Sequence, residues 1–526
     1  MSLRHPRLAL VVVLALAAVV FAAPVGRKPF WSSDEARFAV LAQDILDHGR
    51  WLVPELRGDL YLNKPQLYFW SIALVSLPGG RVTELTAAVP SVVSALATLG
   101  AVAVTGRLLW GWPVGVLAAL VLATTPAFFI FSHAVLSDVM MTAWMTWALY
   151  FLVRAARDGW TLGPVLAFHA CIGAAVLSKG PAGLAMLVAA GIAIVTTFGV
   201  RTLPRLRPGT ALAVYAVFAL AWVVPYMTRS RGRFVSSVLV GHYGPWYLQG
   251  GLEPRLSQVG SLLGNFLPWT IALAAAVAWW WRDRDEGRRL VGVATLGLLA
   301  VLALSGTPRA RYLLPVYPGL ALLVAEFLCR AAAGGARSAV RIASWTFVAL
   351  LVVFATAGPF LLPGVKGDDK AYVPEGTGEL AVMMTLLAAA ALVNGVAAWR
   401  GAYAKGAAAA AVLFLGVLLV EGVCYPPRYA RDNDLRPLAE AATRHTGPAG
   451  VVVAYPEMRL SFDFYTPRAV VVADTQERVR EAAAAATPSA MITTVGHWAE
   501  IAPLLPSWRV VDRRQVADRD YVVTAP

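Results

Sequence analysis

Apolar runs of bilayer length alternate with short polar breaks through most of this chain. A membrane-crossing helix needs about 20 mainly apolar residues. The pattern predicts such spans near 8–24, 84–106, 113–132, 137–153, 162–178, 181–199, 210–228, 257–281, 288–305, 312–330, 341–361, 379–399 and 406–425, thirteen in all. The first has some marks of a cleaved signal peptide, namely Arg4, Arg7, a short apolar core and Ala22-Ala23. Its core runs on without a clear small-residue cleavage site, so it is expected to remain as a span.

From about residue 432 the period changes. Apolar runs shorten to strand length at Val451–Tyr455, Ala469–Val472, Ala490–Thr494, Arg509–Val511 and Tyr521–Thr524, and helical stretches such as Thr475–Ala486 lie between them. This predicts a polytopic all-α membrane domain over 1–431, followed by a small soluble α/β domain over 432–526. The second domain has no glycine-rich phosphate loop, and its expected role is support or cover. No internal repeat is visible.

Composition agrees with this division. Of 526 residues, 58% are hydrophobic and 14% charged, and the mean hydropathy is +0.63. Ordinary soluble domains carry about 25% charged residues, so lipid must be part of the solvent here. The net charge of +14 is spread between apolar runs and forms no basic stripe, so membrane lipids and no nucleic acid are the expected partners. Cys171, Cys329 and Cys424 are too few and too scattered for a disulfide framework.

Placing the N-terminus in the cytoplasm puts Arg107, Arg154, Arg157, Arg201, Arg205, Arg207, Arg282, Arg284, Arg288, Arg289, Arg330, Arg337, Arg341, Arg400 and Lys405 in short inner loops. The long segments 25–83, 229–256 and 362–378 and the C-terminal domain then share the outer side.

The first outer loop carries the most chemistry. Ser33 or Asp34 is placed to cap a helix in which Phe38, Leu41 and Ile45 share one face, so the helix should lie along the membrane surface. Asp34 and Arg37 stand three residues apart and could face one cavity, or form only a cap and a surface ion pair. Asp138 begins a span, where a carboxylate needs either a partner or a capping role. Lys179, in Ser178-Lys179-Gly180-Pro181, could snorkel to the interface or hold a phosphate, as could Arg309 and Arg311. His242-Tyr243-Gly244-Pro245-Trp246-Tyr247 offers an imidazole among aromatic rings.

The order of these pieces resembles the polyprenyl-phosphate-dependent membrane glycosyltransferases of GT-C fold. That superfamily includes the lipid A aminoarabinose transferases and the dolichyl-phosphate-mannose protein mannosyltransferases. The resemblance runs from Asp34, Glu35 and Arg37 through Lys64-Pro65 with Tyr68, Asp138, Ser178–Pro181 and His242–Tyr247 to Phe266–Trp269 and Tyr312–Pro315. It is nearest the bacterial aminoarabinose-transferase-like branch. Two motifs depart from that branch: Asn63 replaces the Glu of its Glu-Lys-Pro, and Ala88-Val89-Pro90-Ser91 replaces its Arg-Leu-Pro-Ser. There the Glu and a His matching His242 are associated with a bound metal. Asn63 is a neutral, poorer ligand, which argues against a divalent metal as cofactor.

The resemblance implies an inverting transferase of the bacterial inner membrane. It would move a hexosyl or pentosyl group from an undecaprenyl-type phosphate to a lipid, glycan or protein acceptor on the outer face. Asp34, Asp138 and Glu35 are then the candidate catalytic acids. Arg37, Lys64, Lys179, Arg309 and Arg311, with Tyr68, Tyr312, Trp246 and Tyr247, are the candidate phosphate and substrate contacts. The rival reading is a lipid-linked sugar transporter, since intramembrane charges and interrupted helices occur there too. A noncatalytic scaffold would leave the charged constellation without a purpose.

Overall fold

Helices form wherever the sequence places an apolar run of bilayer length. The computed structural model describes residues 5–30, 32–244, 251–282, 285–304, 309–361, 373–447, 450–456, 459–484 and 489–526. Among the described residues, nine helices are long and apolar enough to cross a membrane: Glu84–Trp110, Ser137–Arg157, Leu162–Lys179, Pro181–Phe198, Pro208–Arg229, Ala310–Arg330, Arg337–Gly358, Thr377–Trp399 and Tyr403–Asn433. Two further pairs qualify only as bent spans, which brings the number to eleven.

The bends fall inside two of the expected spans. Trp112–Ala123 meets Pro126–Ser132 at 71°, and Leu252–Asn265 meets Thr270–Trp281 at 107°. Pro126 and Pro268 each remove a backbone donor from the helical ladder at these points. The hydroxyls of Thr124 and Thr125 donate back to Leu120 and Val121 carbonyls, and Trp269 Nε1 donates to Thr124 Oγ1 at 2.9 Å, so the two breaks brace one another. Both lie in segments that periodicity alone reads as continuous.

Burial separates inner from lipid-facing helices. The apolar window of Ala310–Arg330 is 89% buried, whereas that of Pro208–Arg229 is only 17% buried. The second leaves Leu212, Val217 and Leu220 exposed on its flank, as a lipid-facing helix must. At the end of the bundle away from the site, Arg288 makes a two-pronged pair with Glu326 at 3.1 and 2.6 Å, and Trp279 Nε1 joins at 3.2 Å. Full burial of this pair makes it a register lock between Glu286–Ala303 and Tyr317–Arg330.

Between the first two apolar helices lie the surface helix Ser33–His48, a small hairpin and the short apolar helix Leu67–Ser76. Strands β1 (Glu55–Leu56) and β2 (Asp59–Leu60) pair across Arg57 and Gly58, whose φ angles of 56° and 85° are those of a primed hairpin turn. The Arg57 guanidinium holds both oxygens of Asp463, Nε to Oδ1 at 2.8 Å and Nη2 to Oδ2 at 2.7 Å. Nearby, the Tyr465 hydroxyl accepts the Phe30 amide at 3.1 Å. The hairpin and the start of the surface helix are thus fastened to the C-terminal region.

That region is built on strands β3 (Val452–Ala454), β4 (Val470–Val472), β5 (Ala490–Thr494), β6 (Arg509–Val516) and β7 (Arg519–Ala525), in the order β4-β3-β5-β7-β6. The first three pair in parallel and β7 is antiparallel to its neighbours. Leu438, Ala442 and Phe462 fill one face and Val479, Ile501 and Trp508 the other. The strand β6 runs beyond the expected Arg509–Val511 because its hairpin with β7 continues the ladder. The last long helix runs to Asn433, beyond the expected 425, despite Pro426 and Pro427. All three cysteines are free, as expected.

Candidate active site

The surface helix is started by Ser32, one or two residues before the expected cap. Ser32 has extended backbone, its Oγ accepts the Glu35 amide at 3.3 Å, and the Glu35 carboxylate accepts the Ser32 amide at 3.1 Å. This reciprocal box satisfies the first turn. Asp34 is therefore free of capping duty, and its carboxylate faces a cavity of about 460 Å³.

Chain segments far apart in sequence converge there. Asp34 Oδ1 accepts from Arg37 Nη1 at 2.5 Å, while Oδ2 accepts from Arg311 Nη2 at 2.5 Å and lies 3.4 Å from Arg309 Nη1. Asp138 pairs with Lys179 at the facing ends of Ser137–Arg157 and Leu162–Lys179. The Arg311 Nε stands 4.0 Å from Asp138 Oδ2, so one guanidinium spans the two acids. That Nε is buried without a hydrogen-bond partner among the described residues. A buried donor in that state suits an incoming anion.

Lys64 reaches the cavity from the loop after β2. Its ammonium lies 5.5 Å from the centre of the Tyr243 ring, and the Lys179 ammonium lies 4.3 Å from that of Tyr312. Tyr243 ties the two lysine segments together, its hydroxyl donating to the Asn63 carbonyl at 3.0 Å and standing 3.4 Å from that of Lys179. Tyr226 likewise donates to the Lys64 carbonyl at 3.0 Å. Gly180 has φ +91°, and a Cβ there would lie 2.4 Å from the Tyr243 hydroxyl, so the break after Lys179 requires glycine.

The charges shape one another. Burial alone would push the Asp34 carboxyl up, but Arg311 and Arg37 outweigh it and hold that carboxyl below its usual range. Burial, with Lys179 nearby, pushes the Lys64 ammonium down to about 8, against the opposing pull of Asp138 and Asp34. Burial pushes the Tyr61 phenol, on the cavity wall, up to about 12, so it stays a neutral hydrogen-bonding group. Five cations (Arg37, Lys64, Lys179, Arg309, Arg311) and two carboxylates (Asp34, Asp138) line the cavity. The arrangement can hold an anion beside an ionised carboxylate.

Known proteins are similar to this chain in sequence and in fold. Residues 63–228 match the family described as dolichyl-phosphate-mannose-protein mannosyltransferase. The undecaprenyl phosphate-alpha-4-amino-4-deoxy-L-arabinose arabinosyl transferase of Pectobacterium carotovorum subsp. carotovorum (strain PC1) is 27% identical over 366 residues, which is 66% of this chain and 64% of that protein. The transferase of the same name from Yersinia enterocolitica serotype O:8 / biotype 1B is 27% identical over 327 residues, 59% of this chain and 57% of that protein. Each match spans less than two thirds of the relative's length. The crystal structure of ArnT from Cupriavidus metallidurans bound to undecaprenyl phosphate superposes with a TM-score of 0.76 over 98% of this chain and 97% of that one, at 19% identity. The chain has a GT-C glycosyltransferase fold. Its sequence is similar to those of the aminoarabinose transferases.

Within this GT-C fold two of the expected site residues take other parts. Glu35 does not line the cavity. It is 1% exposed, accepts the Val135 amide at 3.0 Å and lies 3.8 Å from Lys28, so it fixes the surface helix against the segment before Asp138. Tyr68 is fully buried and bonded to Ser91 Oγ at 2.7 Å, a packing position outside the cavity wall. Side-chain direction, which sequence spacing does not reveal, separates both from the lining residues. The His242 side chain, Trp246 and Tyr247 lie outside the described residues.

The described residues on the cavity wall are a poor donor set for a metal ion. Asn63 lines the cavity as a neutral group, and Lys64 and Lys179 bring positive charge beside it. Among the described residues no three His, Cys, Asp or Glu side chains cluster as ligands. No step below uses a metal. Tyr61, Tyr226 and Tyr243 were not singled out from sequence as site residues. The only signal for them was their neighbourhood, Tyr61 two residues before Asn63 and Tyr243 beside His242.

Proposed function

We propose that this protein is an inverting glycosyltransferase that moves a sugar from an undecaprenyl-type phosphate to a hydroxyl or phosphate of a lipid, glycan or protein acceptor. The observation that carries this reading is the convergence of Asp34, ionised and outside the capping box, with the cations Lys179, Arg311 and Lys64 on the wall of one cavity. A transporter would have its substrate site near the middle of the bundle, whereas these residues stand at helix ends.

The chemistry follows from the charges. The acceptor oxygen attacks the anomeric carbon as its proton passes to Asp34, and the bond from that carbon to the phosphate oxygen breaks. The departing lipid phosphate gains negative charge beside Lys179, Arg311 and Lys64, where fixed cations stabilise it most. Asp34 in the empty site is a weak base because two guanidiniums hold it. A donor phosphate draws Arg311 and Arg37 toward itself and so raises the basicity of Asp34 only when substrate is present. Asp138 keeps Lys179 and Arg311 oriented.

The thirteen-span arrangement belongs to the same proposal. The nine long helices and two bent pairs are joined by the 17-residue apolar helix Pro6–Ala22 and by Glu286–Ala303, whose first turn is charged. With these, Arg107, Arg154, Arg157, Arg330 and Arg400 fall at one end of the bundle, and Asp138, Lys179 and Arg311 at the other. The positive-inside rule then supports an N-terminus in the cytoplasm, with the site and the 432–526 domain on the periplasmic side of a bacterial inner membrane.

The test is transfer in detergent. Purified protein supplied with a radiolabelled sugar on undecaprenyl phosphate and an envelope lipid extract should release undecaprenyl phosphate as label appears in acceptor. Failure to bind undecaprenyl phosphate at all would overturn the reading. The rate should also depend on pH in a set way. Lys64 is charged below about 8 and neutral above it, so kcat/KM should fall as pH rises through that value. Asp34, held low, should give no acid limb above about pH 5. Lys64→Arg should remove the alkaline limb, and its persistence at the same pH would exclude Lys64 as the titrating group.

A further inference from the structure

The lipid-facing side of the bundle is not evenly filled. Helices Arg337–Leu361 and Thr377–Trp399 run antiparallel: a Cβ on Gly395 would lie 3.7 Å from the Trp345 ring and 3.8 Å from Val348, and one on Gly358 would lie 4.0 Å from Met384. Between them is a cleft of about 520 Å³, walled by Trp345, Val348, Val352, Ala391, Gly395 and Trp399. The Thr356 hydroxyl at its far end already donates to the Val352 carbonyl at 2.9 Å, which leaves apolar surface along the cleft. From Trp345 to Thr356 the cleft runs about 17 Å at the helical rise, close to the roughly 15 Å of hydrocarbon in one leaflet. The other end carries cations. Arg337 and Arg341 stand two turns and one turn before Trp345 on the same face, and Arg400 directly follows Trp399. The antiparallel pairing sets Arg341 level with Arg400, and Arg337 Nη2 would lie 3.2 Å from a Cβ on Gly401 in the turn beyond.

We propose that this cleft binds a phospholipid with an anionic head group, one acyl chain in the cleft and the phosphate among Arg337, Arg341 and Arg400. With the orientation proposed above, the lipid comes from the cytoplasmic leaflet. Three observations carry this. First, Arg337, Arg341, Arg400 and Lys405 have no ion pair or side-chain hydrogen bond among the described residues, and no Asp or Glu occurs in 327–366 or 380–420. Guanidiniums without a counter-charge between membrane helices suit a lipid phosphate. Second, the cleft is apolar and as deep as a leaflet, so it suits an acyl chain and not a sugar or a peptide. Third, Trp345 is 46% and Trp399 80% exposed, and both stand between the apolar cleft and the cations, where indole rings mark the head-group level. The preference of cations for inner loops accounts for the arginines alone, but not for an apolar cleft that opens between them. A polyprenyl phosphate is not the occupant, because its phosphate site lies at the other end of the bundle.

The test is native mass spectrometry of the full-length protein, released from detergent containing equal amounts of phosphatidylglycerol and phosphatidylethanolamine with identical chains. The wild type should retain phosphatidylglycerol in preference. Arg341→Gln/Arg400→Gln should lower that retention by about fivefold for each cation removed, and Arg341→Lys/Arg400→Lys should keep most of it. Ala388 is an exposed residue on the cleft wall, so Ala388→Phe should obstruct the cleft and lower the retention of both lipids without disturbing the core. Equal retention of the two lipids by the wild type, an unchanged preference in the glutamine variant, or unchanged retention in Ala388→Phe would overturn the proposal. A lipid-free dimer would overturn it too, by making a second copy of the chain the cover of the cleft. Sugar transfer enters none of these measurements, so the transferase reading stands or falls apart from this one.

Discussion

Replacing Asp34 with Asn should lower kcat by about 10²–10⁴-fold, the contribution of a well-placed base, while the protein keeps its fold and its lipid phosphate site. The substitution changes one oxygen and leaves the Ser32–Glu35 box intact, so the helix start is undisturbed. It also releases Arg37 and Arg311 from a carboxylate 2.5 Å away. Undecaprenyl phosphate should therefore bind as tightly as before or more tightly, and this opposite movement of affinity and rate distinguishes lost catalysis from lost structure. Single-turnover transfer and lipid binding on the same preparation measure the two. Transfer at the wild-type rate would remove Asp34 from the reaction.

The second large effect concerns the Asp138–Lys179 pair. The two side chains are 4% and 7% exposed, so Asp138→Asn leaves a buried ammonium without its counter-charge. Breaking one partner of such a pair costs about 3–5 kcal/mol, visible as a lower unfolding temperature in detergent. Asp138→Asn/Lys179→Met removes both charges and should regain most of that stability. It should still lose about 10²–10³-fold in kcat/KM, because a cation aimed at the leaving phosphate is gone. A stable double variant with normal transfer would reduce the pair to a packing device.

The helices were plain in the sequence because lipid imposes a long, uniform apolar signal, and the start of every long helix lies within a few residues of an expected one. The two breaks were hidden because Thr124-Thr125 and Leu267-Pro268 are too short an interruption to alter a hydropathy window. The cap at Ser32 was misplaced because Ser32, Ser33 and Asp34 are all good cap residues, and only the Glu35 partner decides among them. Most of the site's ionic residues were visible from residue type and neighbourhood. Their pairing was not: Arg311 meets Asp34 across 277 positions of chain. No local pattern encodes that meeting, nor the direction of Glu35 and Tyr68, which turn to Val135 and Ser91 and off the cavity wall.

Asp463 grips Arg57 at the tip of a hairpin whose second strand leads directly into Tyr61, Asn63 and Lys64. The C-terminal region and the Lys64 end of the cavity are consequently one mechanical unit. Any remodelling of the tail that moves Asp463 is transmitted along about seven residues of chain to the Lys64 ammonium. A tail grafted from a relative would hold the Lys64 end of the cavity in place only if the hairpin that it grips were grafted with it.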